Sequence, residues 1–247
     1  MAKRKVFYID GGAGRVIAAI PALKKYAKLH PDEDWGIVIG GWDSLLWGIP
    51  ELQDRTYSAD TKGVFKNFLF DADIETPEPY RVNAYFQQQI SLAEAFDVEN
   101  NKTTDHSDLG VPTMVLNKAE EKNASNVVAD AKQQQGNKPI TIVIQPFGRS
   151  ARVDRTDVID DSSRSLEPNA YIQLVKKLAT KYTLVFFGEQ QFFLPQDTYT
   201  FKLQTDLRGW AAIIEHADYF VGCDSVGQHM ARAFDKPGTV IVGSTFA

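Results

Sequence analysis

Apolar positions along the chain form two similar series, each alternating short apolar runs with longer amphipathic ones. Residues 6–9 are β-branched and aromatic and stop at Asp10-Gly11-Gly12, which reads as a buried first strand. Residues 16–26 carry apolar positions at helical spacing, with Pro21 inside the pattern implying a kink or a late helix start. Residues 36–39 form a second strand, closed by Gly40-Gly41-Trp42-Asp43. Strand, loop, helix, strand with glycine-rich loops after both strands predicts a parallel sheet. Further on, 56–58 and 65–70 read as short strands, Glu78-Pro79-Tyr80 as a turn and 83–96 as an amphipathic helix with Tyr85, Ile90, Leu92, Ala93 and Phe96 as its apolar positions. Residues 97–108 are polar and predicted to be exposed.

The second series repeats the first. Residues 119–135, rich in Ala, Glu, Lys and Gln, favour a helix. The polar stretch Gln133 to Pro139 then resembles a linker, so the predicted domains are 1–136 and 137–247. Strands are predicted at 140–144, 183–187, 219–221 and 239–242, and helices at 168–181, 207–216 and 228–234, with a polar insertion over 152–165. Two α/β units in series give two Rossmann-like domains facing a cleft.

Composition narrows the function classes. The 247 residues are 43% hydrophobic, enough for a sizeable core, and the net charge of −5 disfavours a general nucleic-acid binder, which needs clustered Lys and Arg. Lys3-Arg4-Lys5 is a short solvated flank. The single cysteine, Cys223, excludes an intrachain disulfide and multi-cysteine metal sites. The first apolar run is too short for a signal-peptide core, and no stretch approaches the ~20 apolar residues of a membrane span, so a cytoplasmic protein without stable membrane insertion is expected.

Candidate chemistry gathers where strands end. In Asp10-Gly11-Gly12-Ala13-Gly14-Arg15, the glycines allow close backbone approach and the helix that follows offers free N–H groups, so Gly12 and Gly14 are candidate ligand contacts. It is not a P-loop and only a partial dinucleotide fingerprint, and a plain tight turn is the simpler reading. In the second half, Gln145 to Ser150, Gly188-Glu189, Asp206-Leu207-Arg208-Gly209 and Asp224 to His229 all follow strands or precede helices. Arg149 and Arg152 suit a diphosphate, since a guanidinium binds phosphate oxygens bidentately; solvated surface charge is the plainer alternative. Glu189 suits ribose hydroxyls, and the helix beginning near Gly227 suits the same diphosphate. The plainer reading of Asp224 and His229 is a helix N-cap and an ordinary helix histidine. Trp35, Trp42, Trp47 and Trp210 either stack on a sugar or base, Trp42 being best placed, or pack the core.

Three segments resemble heptosyltransferase-like glycosyltransferases. The run Gly12 to Leu23, a small-residue loop leading into a helix with Pro21-Ala22-Leu23, is similar to that family's N-terminal motif. Asp224-Ser225-Val226-Gly227-Gln228-His229 keeps the family's Asp-to-His spacing and its Ser, with Val226 where Gly is common. Lys236 to Thr245 is similar to its Pro, apolar strand and Gly-Ser-Thr. The resemblance covers residues 6–45 and 140–247 and implies the GT-B arrangement, with the C-terminal domain shortened relative to the family. It implies metal-independent transfer of a sugar from a nucleotide-diphosphate sugar to an acceptor hydroxyl with inversion, and no cofactor beyond that donor. The acceptor is a glycan, a lipid-linked saccharide or a modified nucleobase. Arg15 stands where the family carries a catalytic Asp, and an arginine does not accept a proton at neutral pH. Asp10, first, or Asp43 then supplies the base, while Gly12, Gly14, Arg15, Arg149, Arg152, Glu189, Asp224, Ser225, Gly227 and His229 bind substrate. The alternatives are an NAD(P)-dependent oxidoreductase or other nucleotide-binding protein using the Gly11 to Gly14 loop, and a non-catalytic glycosyltransferase-like protein that has lost its base.

Overall fold

The computed structural model describes residues 3–154, 157–187, 194, 199–201 and 207–243. The chain divides into two compact units, 1–115 and 116–247. The boundary lies about twenty residues before the one the linker composition suggests. Helix α4 (Lys118–Gln134) explains the difference, because it packs on elements of the second unit.

The first unit is a parallel sheet in the order β3-β2-β1-β4, with β1 at Lys5–Ile9, β2 at Trp35–Ile39, β3 at Thr56–Ser58 and β4 at Asp73–Glu75. β1 pairs in register with β2 on one side and β4 on the other. Helix α1 (Ala13–Leu29) connects β1 to β2 and keeps Pro21 within it; eleven of its residues are buried. One sheet face packs on α1, with the ring of Phe7 4.8 Å from that of Tyr26 and Trp35 edge-on to both. The other face holds Val6 and Val38 against Val64, Phe68 and Leu69. A fully buried apolar side chain, as Val6 and Val38 are, contributes ~1.5–3 kcal/mol.

The middle of this unit departs from the sequence pattern in three places. Residues 65–70 are not a strand but a turn of π-helix, Phe65–Leu69, closed by Phe70 N–H donating to the Phe65 carbonyl. Positive φ at Gly63 and Asp71 bounds the segment on both sides, and Phe65 and Phe70 face solvent. Residues 83–96 are not one helix. A single turn, α2 (Asn83–Phe86), ends before Gln88 at φ +59°, and α3 (Leu92–Asn101) starts afresh at Ser91. Ser91 and Glu94 cap α3 reciprocally, a signal present in the sequence as S-x-x-E. Nor is 97–108 uniformly exposed: Asp97 is fully buried. Its carboxylate takes bonds from Lys25 Nζ (3.0 Å) and Asn101 (2.7 Å) and lies 2.7 Å from His106 Nδ1. Lys25 also reaches Asp108 at 2.8 Å, so buried charge ties α1 to α3 and the loop after it.

The second unit is a parallel sheet in the order β11-β10-β5-β8-β9, with β5 at Thr141–Gln145, β8 at Thr183–Phe187, β9 at Tyr199–Phe201, β10 at Tyr219–Cys223 and β11 at Gly238–Ile241. The polar insertion after β5 contains an antiparallel hairpin of β6 (Arg152–Asp154) and β7 (Asp157–Ile159). Helix α5 (Pro168–Ala179) packs Tyr171 and Val175 on one face of the sheet, against Ile142, Ile144, Leu184 and Phe186. On the other face Phe187 stacks on Trp210 of α6 (Arg208–His216), centroids 4.5 Å apart. Helix α7 (Val226–Ala233) follows β10. Glu120 has two tasks: it completes the α4 capping box with Asn117 and forms a two-pronged ion pair with the buried Arg208 of α6. Trp35 and Trp210 are therefore core residues, not stacking platforms.

Candidate functional site

In a parallel sheet every strand's carboxyl end lies on the same edge, and ligands bind where the strand order reverses. Each unit has one such point. In the second sheet the chain runs from β5 to β8 on one side and later returns as β10 on the other. In the first it runs from β1 to β2 and β3, then returns as β4 on the opposite side of β1. The carboxyl ends of β5 and β10, and of β1 and β4, therefore border the two crevices.

The β5–β10 crevice is organised by one buried glutamine. Gln145, the last residue of β5, donates from Nε2 to Ser225 Oγ (3.1 Å) and accepts at Oε1 from the Gly227 N–H (2.9 Å). It thereby fixes the turn after β10 and caps the start of α7, whose own N-cap, Ser225, makes no side-chain cap bond. Gly227 is a packing requirement: a Cβ there would lie 2.4 Å from Gln145 Oε1 and 2.7 Å from the Phe220 ring. Because its N–H is already bonded, Gly227 serves this crevice through close approach. Gln228 Nε2 donates to Asp224 Oδ1, which orients the carboxylate at the rim. Burial holds the His229 imidazole below its ordinary pKa, with Asp224 pulling the other way. Cys223, one residue inside the strand, has its thiol pushed up to about 12 by burial and is unreactive.

The loop after β5 is held from the hairpin side. Asp160 accepts from the hydroxyls of Ser150 (2.7 Å), Ser162 (2.6 Å) and Ser165 (2.5 Å), and from the backbone N–H groups of Ser162 and Ser165. Although partial burial opposes ionisation, these donors hold its carboxyl well below the usual carboxylate range. Ser165 Oγ also accepts from the Gly148 N–H at 3.0 Å. Arg149 thus projects from a loop braced on both flanks, and it is exposed. Arg152 lies on β6 in a solvated ion pair with Asp161 at 3.4 Å. Glu189, with Gly188, Asp206, Ser244 and Thr245, lies outside the described residues.

The β1–β4 crevice is built from charge. Gly11 turns the chain at φ +90°, and Gly12, in extended conformation, is the N-cap of α1, which Gly14 continues. Arg15, in the first turn of α1, is nine-tenths buried. Its Nη2 donates to the Pro77 carbonyl and lies 3.6 Å from Asp10 Oδ1 and 3.7 Å from Glu78 Oε1. Its guanidinium carbon sits 5.5 Å from the Tyr80 ring centroid and 5.9 Å from that of Phe96. Asp43 opens a short 3-10 turn after β2, at Asp43–Leu46, preceded by Trp42 at φ +69°. Gly40, at the start of that loop, donates to the Ile9 carbonyl (2.8 Å), which sets it beside Asp10.

Sequence reasoning did not find Glu78 or Asp160. Glu78 was hidden because β4, Asp73–Glu75, has a single apolar residue and gives no strand signal. Asp160 carries a weak one, an Asp with Ser two residues on, the pattern of an Asx turn. Among the described residues no three His, Cys, Asp or Glu side chains are grouped as a metal ion would require, and no helix is long and apolar enough to cross a membrane.

No protein-family model matches the chain, and no curated protein matches it in sequence. Solved structures do match. The glycosyl transferase family 9 protein from Veillonella parvula superposes over 99% of this chain and 82% of its own, with a TM-score of 0.67 at 14% identity. The ADP-heptose LPS heptosyltransferase II of E. coli covers 96% of this chain and 84% of its own, at 0.61 and 15%. The iron-containing dodecameric glycosyltransferase TibC of enterotoxigenic E. coli covers 96% of this chain, which spans only 57% of TibC, at 0.59 and 13%. At these identities the likeness is one of fold: two parallel α/β units of the kind found in GT-B heptosyltransferases.

Proposed function

We propose that the protein is a glycosyltransferase that moves a sugar from a nucleotide-diphosphate donor to an acceptor hydroxyl with inversion. The observation that carries this reading is the Gln145 bridge, which joins the end of β5 to the Asp224 to His229 turn at the reversal point of the second sheet. Supporting it is the fold likeness to enzymes described as glycosyltransferases. One of the matching structures is a heptosyltransferase in complex with ADP-D-beta-D-heptose.

In this reading the second unit holds the donor. Arg149 and backbone N–H groups of its braced loop meet the diphosphate, with Arg152 as a more distant positive charge. Asp224, oriented by Gln228, and Ser225, oriented by Gln145, accept from and donate to sugar or ribose hydroxyls, with His229 behind them as a neutral imidazole. The acceptor oxygen attacks the anomeric carbon as the bond to the diphosphate breaks and its electron pair leaves with the phosphate. The acceptor proton passes to a carboxylate, for which Asp10 and Asp43 are the candidates. Charge on the departing diphosphate is met by the arginine and amides without a metal.

Incubation with ADP-, UDP- and GDP-linked sugars, with and without a chelator, tests the reading. Release of one nucleoside diphosphate, undiminished by chelator and abolished in Asp224→Ala, is expected. Release from none of the donors, in the presence of hydroxyl acceptors, counts against transfer; loss of activity in chelator counts against metal independence.

A further inference from the structure

The second sheet ends on an open strand. β10 is buried at four of its five positions, whereas β11, beside it and last in the order, is exposed at three of four. Its side chains are β-branched on both faces: Thr239 and Ile241 on one, Val240 and then Val242 on the other. Ile241 is 42% and Val242 38% exposed. Proteins commonly blunt such an edge with charge. β4 shows the device, with the exposed Ile74 set between Asp73 and Glu75. β11 has no such charge. Asp235 and Lys236 precede it, and residues 237–247 carry no charged side chain. At its far end Gly243 lies against Ser163 and Arg164 of the loop after β7, so charges bracket the strand and none lies on it.

The register fixes which backbone groups are open. Phe220, paired with Gly238, donates to the Pro237 carbonyl at 3.0 Å. In a parallel ladder alternate residues turn toward a given neighbour, so Thr239 and Ile241 direct their N–H groups at β10. Gly238, Val240 and, by continuation, Val242 direct theirs off the sheet. Among the described residues nothing bonds to those three N–H groups. The open groups are self-complementary. Set antiparallel to its own copy about a two-fold axis at Val240, the strand pairs Val240 with its counterpart and Gly238 with Val242 of the second copy, each pair exchanging both bonds. Thr239 then meets Ile241 of the second copy, a β-branched cross-strand pair. Pro237 falls opposite Gly243, at a position that needs no N–H. Lys236 lies beyond the ladder on both copies, so no like charges face each other. The same operation on β4 would set Asp73 against Glu75. We propose that β11 pairs with β11 of a second copy, joining two second-unit sheets into one. The symmetry of the open groups and the absence of charge favour a second copy over a foreign strand. The crevice between β5 and β10 lies one strand away, so this inference stands whether or not the glycosyltransferase reading does.

A short ladder falls among the smaller interfaces, below ~1,200 Å², so assembly is read from micromolar to hundreds of micromolar protein. Sedimentation velocity of the whole chain over that range should show a monomer giving way to a dimer and to nothing larger. Val240→Lys and Val240→Glu each set like charges directly opposite at the axis and should raise the dissociation constant at least about tenfold. An equimolar mixture of the two variants should recover the dimer, because opposite charges then meet. Val240→Pro removes an N–H that points away from β10, so it should abolish pairing and keep the fold, which circular dichroism checks. A wild-type chain that stays monomeric, a dimer indifferent to the Val240 variants, or growth beyond dimers overturns the proposal. Failure of the mixed variants to pair while each is folded overturns the register.

Discussion

The two crevices occupy the same topological position and are made of opposite materials. In the first unit the rim is ionic, with Arg15 between Asp10 and Glu78, and further along α1 Lys25 is buried among Asp97, Asp108 and His106. In the second unit the rim is set by an amide, Gln145 with Ser225 and Gly227, and by one carboxylate, Asp160, whose charge is met by serine hydroxyls and amides, while Arg149 stands exposed on the braced loop. The difference is instructive. In the second unit hydroxyl and amide donors satisfy the scaffold's carboxylate, whereas in the first a buried cation does so. There the Arg15 side chain is 10% exposed and those of Asp10 and Glu78 are 51% and 39% exposed.

The largest effect expected from breaking this contrast is in the first unit. Asp97→Ala leaves Lys25 buried without its innermost partner, and removing one member of a buried pair costs ~3–5 kcal/mol. Amide exchange should show lost protection in α1 and α3 and little change in the second sheet; equal loss in both units would mean that the network does not belong to the first alone. Next is Arg149→Ala. If this side chain meets the departing diphosphate, turnover should fall ~10²–10³-fold with stability unchanged, the cost of deleting one preorganised donor. Unaltered turnover would move the diphosphate elsewhere.

Gly227→Ala tests the amide bridge. Its new methyl group overlaps Gln145 Oε1 and the Phe220 ring, so a loss of ~1–3 kcal/mol is expected in thermal unfolding, with weaker nucleotide binding. A stable variant with full affinity would show that the Gln145 bridge is dispensable. The smallest effect is in pH dependence. His229 has a folded-state pKa below the ordinary 6.5, so between the two values the unfolded chain binds more protons. Its contribution is complete above about 6.5 and declines as pH falls through the folded-state value. Glu120 and Asp160, also lowered, add a second loss at lower pH, below their ordinary values of 4.5 and 3.8. His229→Gln should flatten the upper limb of the stability profile and leave the lower one; an unchanged upper limb would remove His229 from the account.

Much of the fold was legible because its strands are fully buried. β2, β5 and β8 are buried at every position, and continuous apolar runs ending at Gly or polar turns mark such strands plainly. The loops at their ends follow from that, which is why Asp10, Arg149 and the Asp224 to His229 turn could be placed. The edge strands β3 and β11 were read at 56–58 and 239–242, but a third edge strand was not. β4 has one apolar residue and is held by pairing with β1, a contact no local pattern records. Glu78 was lost with it. The partners of Arg15 and Lys25 were equally hidden, since they lie 63 and 72 positions away along the chain and sequence spacing carries no trace of such pairs.

Isothermal titration with ADP, UDP and GDP, on the wild-type chain and on Arg149→Ala, tests most directly whether the second sheet's reversal point is a nucleotide-diphosphate site. The account predicts saturable binding of one of the three, weakened at least tenfold by the substitution. Binding of none, or equal affinity in the two proteins, would contradict it.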